Sequence, residues 1–296
     1  MARSPSSTRS IRRARSPPPP LPNEVEILAN ADRDGEALAA AKNRVDQLDA
    51  EPADWQRYAD LLLTTGNPAE AATWYRRIIS ADGANGGSWG SWLQYGGALD
   101  QAGRWPEARD ALEKAVARGP AQPLALNYLG FAQVEHGDDI PASIRLLERA
   151  SRLDPANASI TDSLGWAYHL AGDTARALPL LERAGQGDPA NAEIGDHLGD
   201  AYWTVGRQYE ARYAWRAALL TAEPSDTARL TAKIANGLRR KLVADSFSYG
   251  GAGSHGFRGE GDADGGNERN AARTWPAQGE ACATPLRHPD ESQDPE

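Results

Sequence analysis

Cysteine is almost missing from this 296-residue sequence: Cys282 stands alone, close to the C-terminus. One thiol excludes a disulfide framework within the chain and a cysteine-based zinc site. Long apolar runs are also missing, and none approaches the ~20 residues that a membrane-spanning helix requires. Residues 1–20 contain no acid, only five arginines, five serines and five prolines among their small and apolar neighbours. Residues 246–296 hold nine glycines and nine acids but few large apolar side chains. Segments with so little surface to bury do not offset the entropy of ordering, so both ends are expected to be disordered. The folded part is expected between Glu24 and Ala244.

Charge narrows the partner. The net charge is −9; residues 1–20 carry +5 and residues 246–296 carry −5, which leaves −9 on the middle. An acidic middle argues against nucleic acid, because phosphate binding needs a basic face. Arg12, Arg13 and Arg15 resemble the charged part of an export signal, but Pro17 to Pro20 follow where an apolar run is needed. With no Sec-type signal as written, the expected location is cytoplasmic. An acid-free Arg/Ser start fits a transit peptide or a start codon placed too early equally well, and the periplasm or envelope is then the alternative.

Signatures of catalysis are weak. Cys282 lies in the tail, and no nucleophile turn is expected. The glycine loops Gly83–Gly87 and Gly250–Gly256 are not followed by the Gly-Lys-Ser/Thr that holds a nucleotide. His169 with Asp162, Asp196 and Asp200 invites a metal or acid–base reading, yet no ligand motif accompanies them. His136 beside a turn, His255 and His288 in the tail, and His197 next to Leu198 suit surface or capping roles. No catalytic residue, metal or cofactor is expected.

What is present is a repeat. Tyr58-Ala59, Tyr95-Gly96, Leu129-Gly130, Leu164-Gly165 and Leu198-Gly199 fall into register, with spacings of 37, 34, 35 and 34 residues between the small members. Helix-turn-helix solenoids repeat at this period. In the unit from Ala158, Leu164 and Gly165 precede Tyr168, Ala177, Leu181, Ala184 and Pro189. The next unit gives Leu198, Gly199, Tyr202, Ala211, Trp215 and Ala218, with Pro224 one residue late. Earlier units supply Trp92, Gly96, Ala108, Leu112 and Pro120, and Trp55, Ala59, Ala71 and Tyr75. The unit from Pro123 puts Ser143 in the alanine slot.

Apolar residues recur at steps of three and four, the mark of amphipathic helices. Glycines 66, 103, 137, 172 and 206 mark the turns. Pro68, Pro106 and Pro141 suit the first turn of the helix that follows, while Pro120, Pro155 and Pro189 stop second helices. Pro179 falls inside a second helix and predicts a slight bend. Residues 34–49 (Leu38, Val45, Leu48) and 226–243 (Leu230, Ile234, Leu238, Leu242) are expected to cap the two ends.

The pattern Trp, Leu-Gly, Tyr, Ala, aromatic, Ala, Pro resembles the tetratricopeptide repeat family over residues 52–225. Leu164-Gly165-Trp166-Ala167-Tyr168 and His197-Leu198-Gly199-Asp200-Ala201-Tyr202-Trp203 are similar to units of proteobacterial members. The resemblance implies an all-α, right-handed solenoid. Its expected parts are a head (1–23), capping helices (24–51), five units (52–88, 89–122, 123–157, 158–191, 192–225), a capping helix (226–244) and a tail (245–296). Gly96, Gly130, Gly165 and Gly199 would let helices approach Ala108, Ala177 and Ala211, with Tyr168 and Tyr202 between units.

Members of this family bind protein on the concave side lined by first helices. Here those positions are Gln56, Asp60 and Leu63; Leu93 and Asp100; Asn127, Phe131 and Val134; Asp162, Trp166 and His169; Glu193, Asp196, Asp200 and Trp203. With Asn127 but no lysine among them, the groove does not suit a partner's C-terminal carboxylate. Its acids and indoles suit a segment bearing Lys or Arg. The expected role is a non-catalytic scaffold or assembly adaptor; the alternative is a docking subunit whose enzyme active site lies on another chain.

Overall fold

The structure, a computed structural model, describes residues 24–31, 33–83 and 86–238. The expectations for the head, the tail and Leu242 lie outside these residues. Thirteen helices and no strand occur among the described residues. They are α1 (Glu24–Asn30), α2 (Asp34–Val45), α3 (Pro52–Thr64), α4 (Pro68–Ala81), α5 (Trp89–Gln101), α6 (Trp105–Arg118) and α7 (Pro123–Glu135), then α8 (Ile140–Leu153), α9 (Ala158–Leu170), α10 (Thr174–Gly187), α11 (Ala192–Thr204), α12 (Gln208–Leu219) and α13 (Pro224–Asn236). From α3 to α12 they form five antiparallel hairpins, each packed on the next in an α-solenoid.

Local chemistry sets the boundaries. Pro52, Pro68, Pro106, Pro123, Pro141 and Pro224 occupy first-turn positions, where the missing N–H has no intrahelical partner to lose. The Asn157 and Asn191 side chains cap α9 and α11 by accepting from Ile160 N and Ile194 N at 3.2 Å. Gly172 (φ 77°) and Gly206 (φ 84°) end first helices in the left-handed region, which glycine adopts without a Cβ clash. Pro179 is carried within α10, which continues through it to Gly187.

Each hairpin closes through a notch. A Cβ at Gly130 would lie 2.8 Å from Leu147 Cγ, and one at Gly165 the same distance from Leu181 Cγ. Only glycine leaves room for these fully buried leucines. Ala59, Gly96 and Gly199 sit in the same slot beneath Tyr75, Leu112 and Trp215. Tyr75 and Trp215 have polar tips, and both are satisfied. Tyr75 Oη donates to Asp60 at 2.5 Å and Trp215 Nε1 donates to Asp200 at 2.9 Å, each acid lying fifteen residues earlier in the chain.

Units are tied by a second motif. Tyr168 Oη donates to Glu148 at 2.5 Å and Tyr202 Oη to Glu182 at 2.9 Å, each reaching back to the preceding second helix. Arg176 and Arg207 cover the two rings at 4.1 and 4.3 Å. From α5 onward, the first helices of neighbouring units touch, as α5 does α7, α7 does α9 and α9 does α11. Second helices of neighbouring units have no comparable contact. The stack therefore curves, with first helices on the inner side.

Two end expectations need correction. Helix α2 stops at Val45, and Leu48 is fully exposed in the turn that leads to Pro52. Pro224 does not close the fifth unit; it opens α13, which ends before Gly237 (φ 69°). Leu230 is buried, and Ile234 and Leu238 pack against it and α12.

Candidate functional site

Helices α7, α9 and α11 bring repeat-equivalent residues into rows. Asn127, Asp162 and Asp196 share one slot; Phe131, Trp166 and Asp200 share the slot one turn on. On the inner side these rows meet side chains that lie close to them in space and far away in sequence.

Trp166 is the centre of the middle cluster. Its indole lies nearly parallel to His197 (4.1 Å, 9°) and to His169 (5.1 Å, 18°). Its Nε1 donates to Glu135 at 2.8 Å. His197 Nδ1 donates to Asp162 Oδ2 at 2.8 Å, and each side chain is only 6% exposed. Burial pulls the His197 pKa down, but the Asp162 carboxylate outweighs it and raises the pKa to about 9. His169 has no such carboxylate; burial, with charge from His197 and Lys233, lowers it to about 4. Two histidines stacked on one indole thus hold different charges at neutral pH, and the charged one gains from the ring's negative face. Asn127 Oδ1, Asp162 Oδ1 and His169 Nδ1 are buried without a hydrogen-bond partner among the described residues.

The second cluster lies at the C-terminal end. Lys233 Nζ donates to Asp196 Oδ1 at 2.6 Å and to Asp200 Oδ1 and Oδ2 at 2.8 and 2.9 Å. Arg229 bonds to Asp196 Oδ2 and, at 2.6 Å, to Asp226. Burial pushes the Asp196 carboxyl up, but Lys233 and Arg229 together hold it below the usual range. Asp200 is raised by burial and by repulsion from Asp196, against the pull of Lys233.

These contacts revise the sequence reading. Asp162, Asp196 and Asp200 do not stand open to an incoming cation; the chain provides His197, Arg229 and Lys233 to meet them. His197 is a buried ion-pair partner, not a surface or capping residue. Asn127, Phe131, Leu93 and Val134 are buried between helices, because neighbouring first helices approach more closely than an open groove requires. Trp166, His169 and Trp203 remain half-buried and Glu193 exposed. Trp203 packs on Trp215 (5.6 Å) beneath Arg212.

In the N-terminal units, Gln56 and Tyr75 both donate to Asp60, while Asp100 contacts His136 Nε2 at 2.7 Å. His136 also stacks on Trp105 at 4.2 Å. Its place beside a turn is as expected, but its partners were not legible.

Among the described residues no group of three His, Cys, Asp or Glu is placed to hold a metal ion. Gly86-Gly87-Ser88-Trp89-Gly90 does match the spacing of a nucleophile turn, which the sequence reading missed. That turn joins a strand to a helix, whereas Ser88 joins two helices and caps α5, its Oγ accepting from Ser91 N at 3.1 Å. No described helix is long and apolar enough to cross a membrane.

Profiles described as tetratricopeptide repeat match residues 55–85, 89–134 and 132–192. No curated protein matches the sequence. Among solved structures, the chain is similar to the APC/C hetero-tetramer Cut9–Hcn1, at 17% identity and a TM-score of 0.60. That match covers 72% of this chain and 41% of the other, so this chain spans about two fifths of its length. TTC0263, a thermophilic TPR protein of Thermus thermophilus, is 21% identical with a TM-score of 0.54, over 63% of this chain and 98% of that one. Both likenesses concern the fold.

Proposed function

Since the chain belongs to the tetratricopeptide repeat proteins, a family of protein-interaction scaffolds, we propose that it is a non-catalytic scaffold or adaptor gripping a partner segment on its inner face. The grip centres on Trp166, with His169 and Trp203 beside it and Asn127, Phe131, Asp162, Glu193, Asp196 and Asp200 as the supporting rows. The partner is a peptide or helix carrying basic and apolar residues, not nucleic acid.

One observation carries this reading. Trp166 is half-buried yet held by stacking on His197 and His169 and by its N–H bond to Glu135. An aromatic side chain fixed before binding loses little entropy when a partner covers it, and such residues dominate interface energetics. Structural packing alone would not need an indole at a position that stays half open to solvent.

The test is affinity capture on the immobilised full chain, read by mass spectrometry, for the wild type and for Trp166→Ala with His169→Ala. Loss of the specific partners, with helical content unchanged by circular dichroism, supports the assignment. Undiminished capture by the double variant overturns it.

A further inference from the structure

We infer that the exposed side of α12 is a self-association surface, on which a second copy of this chain docks antiparallel about a two-fold axis. The inference goes beyond the groove reading and does not depend on it.

The surface stands out by its apolar content. Tyr209, Tyr213 and Leu220 are 86%, 72% and 86% exposed. Steps of four, three and four residues place Tyr209, Tyr213, Arg216 and Leu220, the last at the C-cap, along one side of the helix. Ala211, Ala214, Trp215 and Ala218 are buried on the opposite side. Helix α13 packs on α12 through Leu230, Ile234 and Leu238 and leaves the stripe uncovered.

The other hairpins show that folding does not require this stripe. Ala150 of α8 and Ala218 of α12 share one repeat slot. In that register α8 carries Pro141, Arg145, Glu148 and Arg152 where α12 carries Tyr209, Tyr213, Arg216 and Leu220. The same slots of α4, α6 and α10 hold only alanine, proline, hydroxyl, amide or charged residues. Four second helices therefore pack with a solvated surface there, and α12 alone places two tyrosines and a leucine on it. A contiguous exposed apolar patch of this kind marks an association site.

The order of the stripe selects the occupant. It reads alike from both ends, with a large apolar side chain at each end and Tyr213 and Arg216 in the middle. A two-fold axis between Tyr213 and Arg216 sets Tyr213 against Arg216 of the second copy and Tyr209 against Leu220 of the second copy. Each central ring receives a cation, and each end closes apolar on apolar. Tyr209 and Leu220 lie at equal distances from that axis, about 8 Å along the helix. Arg216 is available, since it forms no ion pair among the described residues. Arg212, by contrast, is held over Trp203 and on Ile234 O.

Two tyrosines, a leucine and an arginine from each copy cover on the order of 1,000 Å² in total, near the lower bound for specific interfaces. The dimer is therefore weak, with a Kd expected at roughly 10–100 μM.

The test is sedimentation equilibrium of the full chain at concentrations on both sides of that range. Compared are the wild type and Tyr213→Arg/Leu220→Arg, which installs the residue types that α8 already carries in these slots. Circular dichroism checks that the variant is folded. The wild type is expected to form a reversible dimer, and the variant to associate about tenfold more weakly or not at all. A wild type that stays monomeric throughout, or a variant that associates as tightly as the wild type, overturns the inference.

A photoreactive residue at Tyr209 in the otherwise wild-type chain reads the register without relying on the variant. It is expected to crosslink to residues around Leu220 of a second copy. Crosslinks to other segments of the second copy, or only to a different protein when the chain is placed in lysate, overturn the inference. Partner capture through Trp166 is read separately, so the groove reading stands or falls on its own.

Discussion

His197 on α11 and Asp162 on α9 form a buried ion pair across two repeats, with Nδ1 and Oδ2 2.8 Å apart. The pair joins two units with both side chains buried, so its charge state is linked to stability. His197 titrates at about 9 in the folded chain, against ~6.5 in an unfolded one. Its contribution is fully present below pH ~6.5 and is lost as pH rises through about 9. His169 runs the other way, since its pKa of about 4 means stability present above pH ~6.5 and lost as pH falls towards 4. Urea midpoints measured across pH are expected to peak between these limbs. The wild-type advantage over His197→Gln is expected to vanish by pH ~10.

Asp162→Asn tests the same pair from the acid side. It removes the counter-charge that keeps the buried ring protonated, so His197 gives up its proton, and losing one partner of a buried pair costs up to about 3–5 kcal/mol. Chemical denaturation is expected to show that loss, and carbon-13 titration of His197 is expected to give a pKa well below the wild-type value. An unchanged His197 pKa contradicts the pairing.

Gly165→Ala places a methyl group 2.8 Å from Leu181 Cγ. Helix propensity favours alanine by about 1 kcal/mol, but overpacking costs about 1–3 kcal/mol, and packing is expected to win. Gly35→Ala on α2 is the control, because a Cβ there meets nothing within 4 Å. The first variant is expected to unfold at lower urea than the wild type and the second at equal or higher urea.

Trp215→Phe removes the N–H that Asp200 accepts at 2.9 Å. A buried acceptor deprived of one donor costs about 1–3 kcal/mol. Because Lys233 still reaches Asp200, the loss is expected at the lower end of that range. Adding Lys233→Met is expected to cost more than the two single changes combined, as measured by a double-mutant cycle.

The architecture was legible because each notch is a local pairing repeated in one chain. The small residues at 96, 130, 165 and 199 each meet a bulky one on the very next helix, so the pairing needs no distant information. Turn glycines and first-turn prolines fixed most boundaries for the same reason. Pro224 misled because a proline that stops one helix and a proline that starts the next look alike when the connector is short.

The inner face was legible only by position. Trp166, His169 and Trp203 are half-buried, and the fate of the acids depended on partners 33 to 37 residues away. Register alone cannot say whether Asp196 meets solvent or Lys233. A signal was available: Arg229 and Lys233 lie one turn apart on the helix next in the stack, as Asp196 and Asp200 do on α11. His197 was passed over because its neighbour Leu198 fills the repeat slot, whereas its own side chain turns towards Asp162 in the preceding unit.

The face that meets the partner is the central matter, and site-specific photo-crosslinking reads it directly. A photoreactive residue is placed at Trp203, in the proposed groove, or at Tyr213 on α12, which is 72% exposed. The account predicts crosslinks to the captured partner from position 203 and none from position 213. Crosslinks from 213 alone would contradict it.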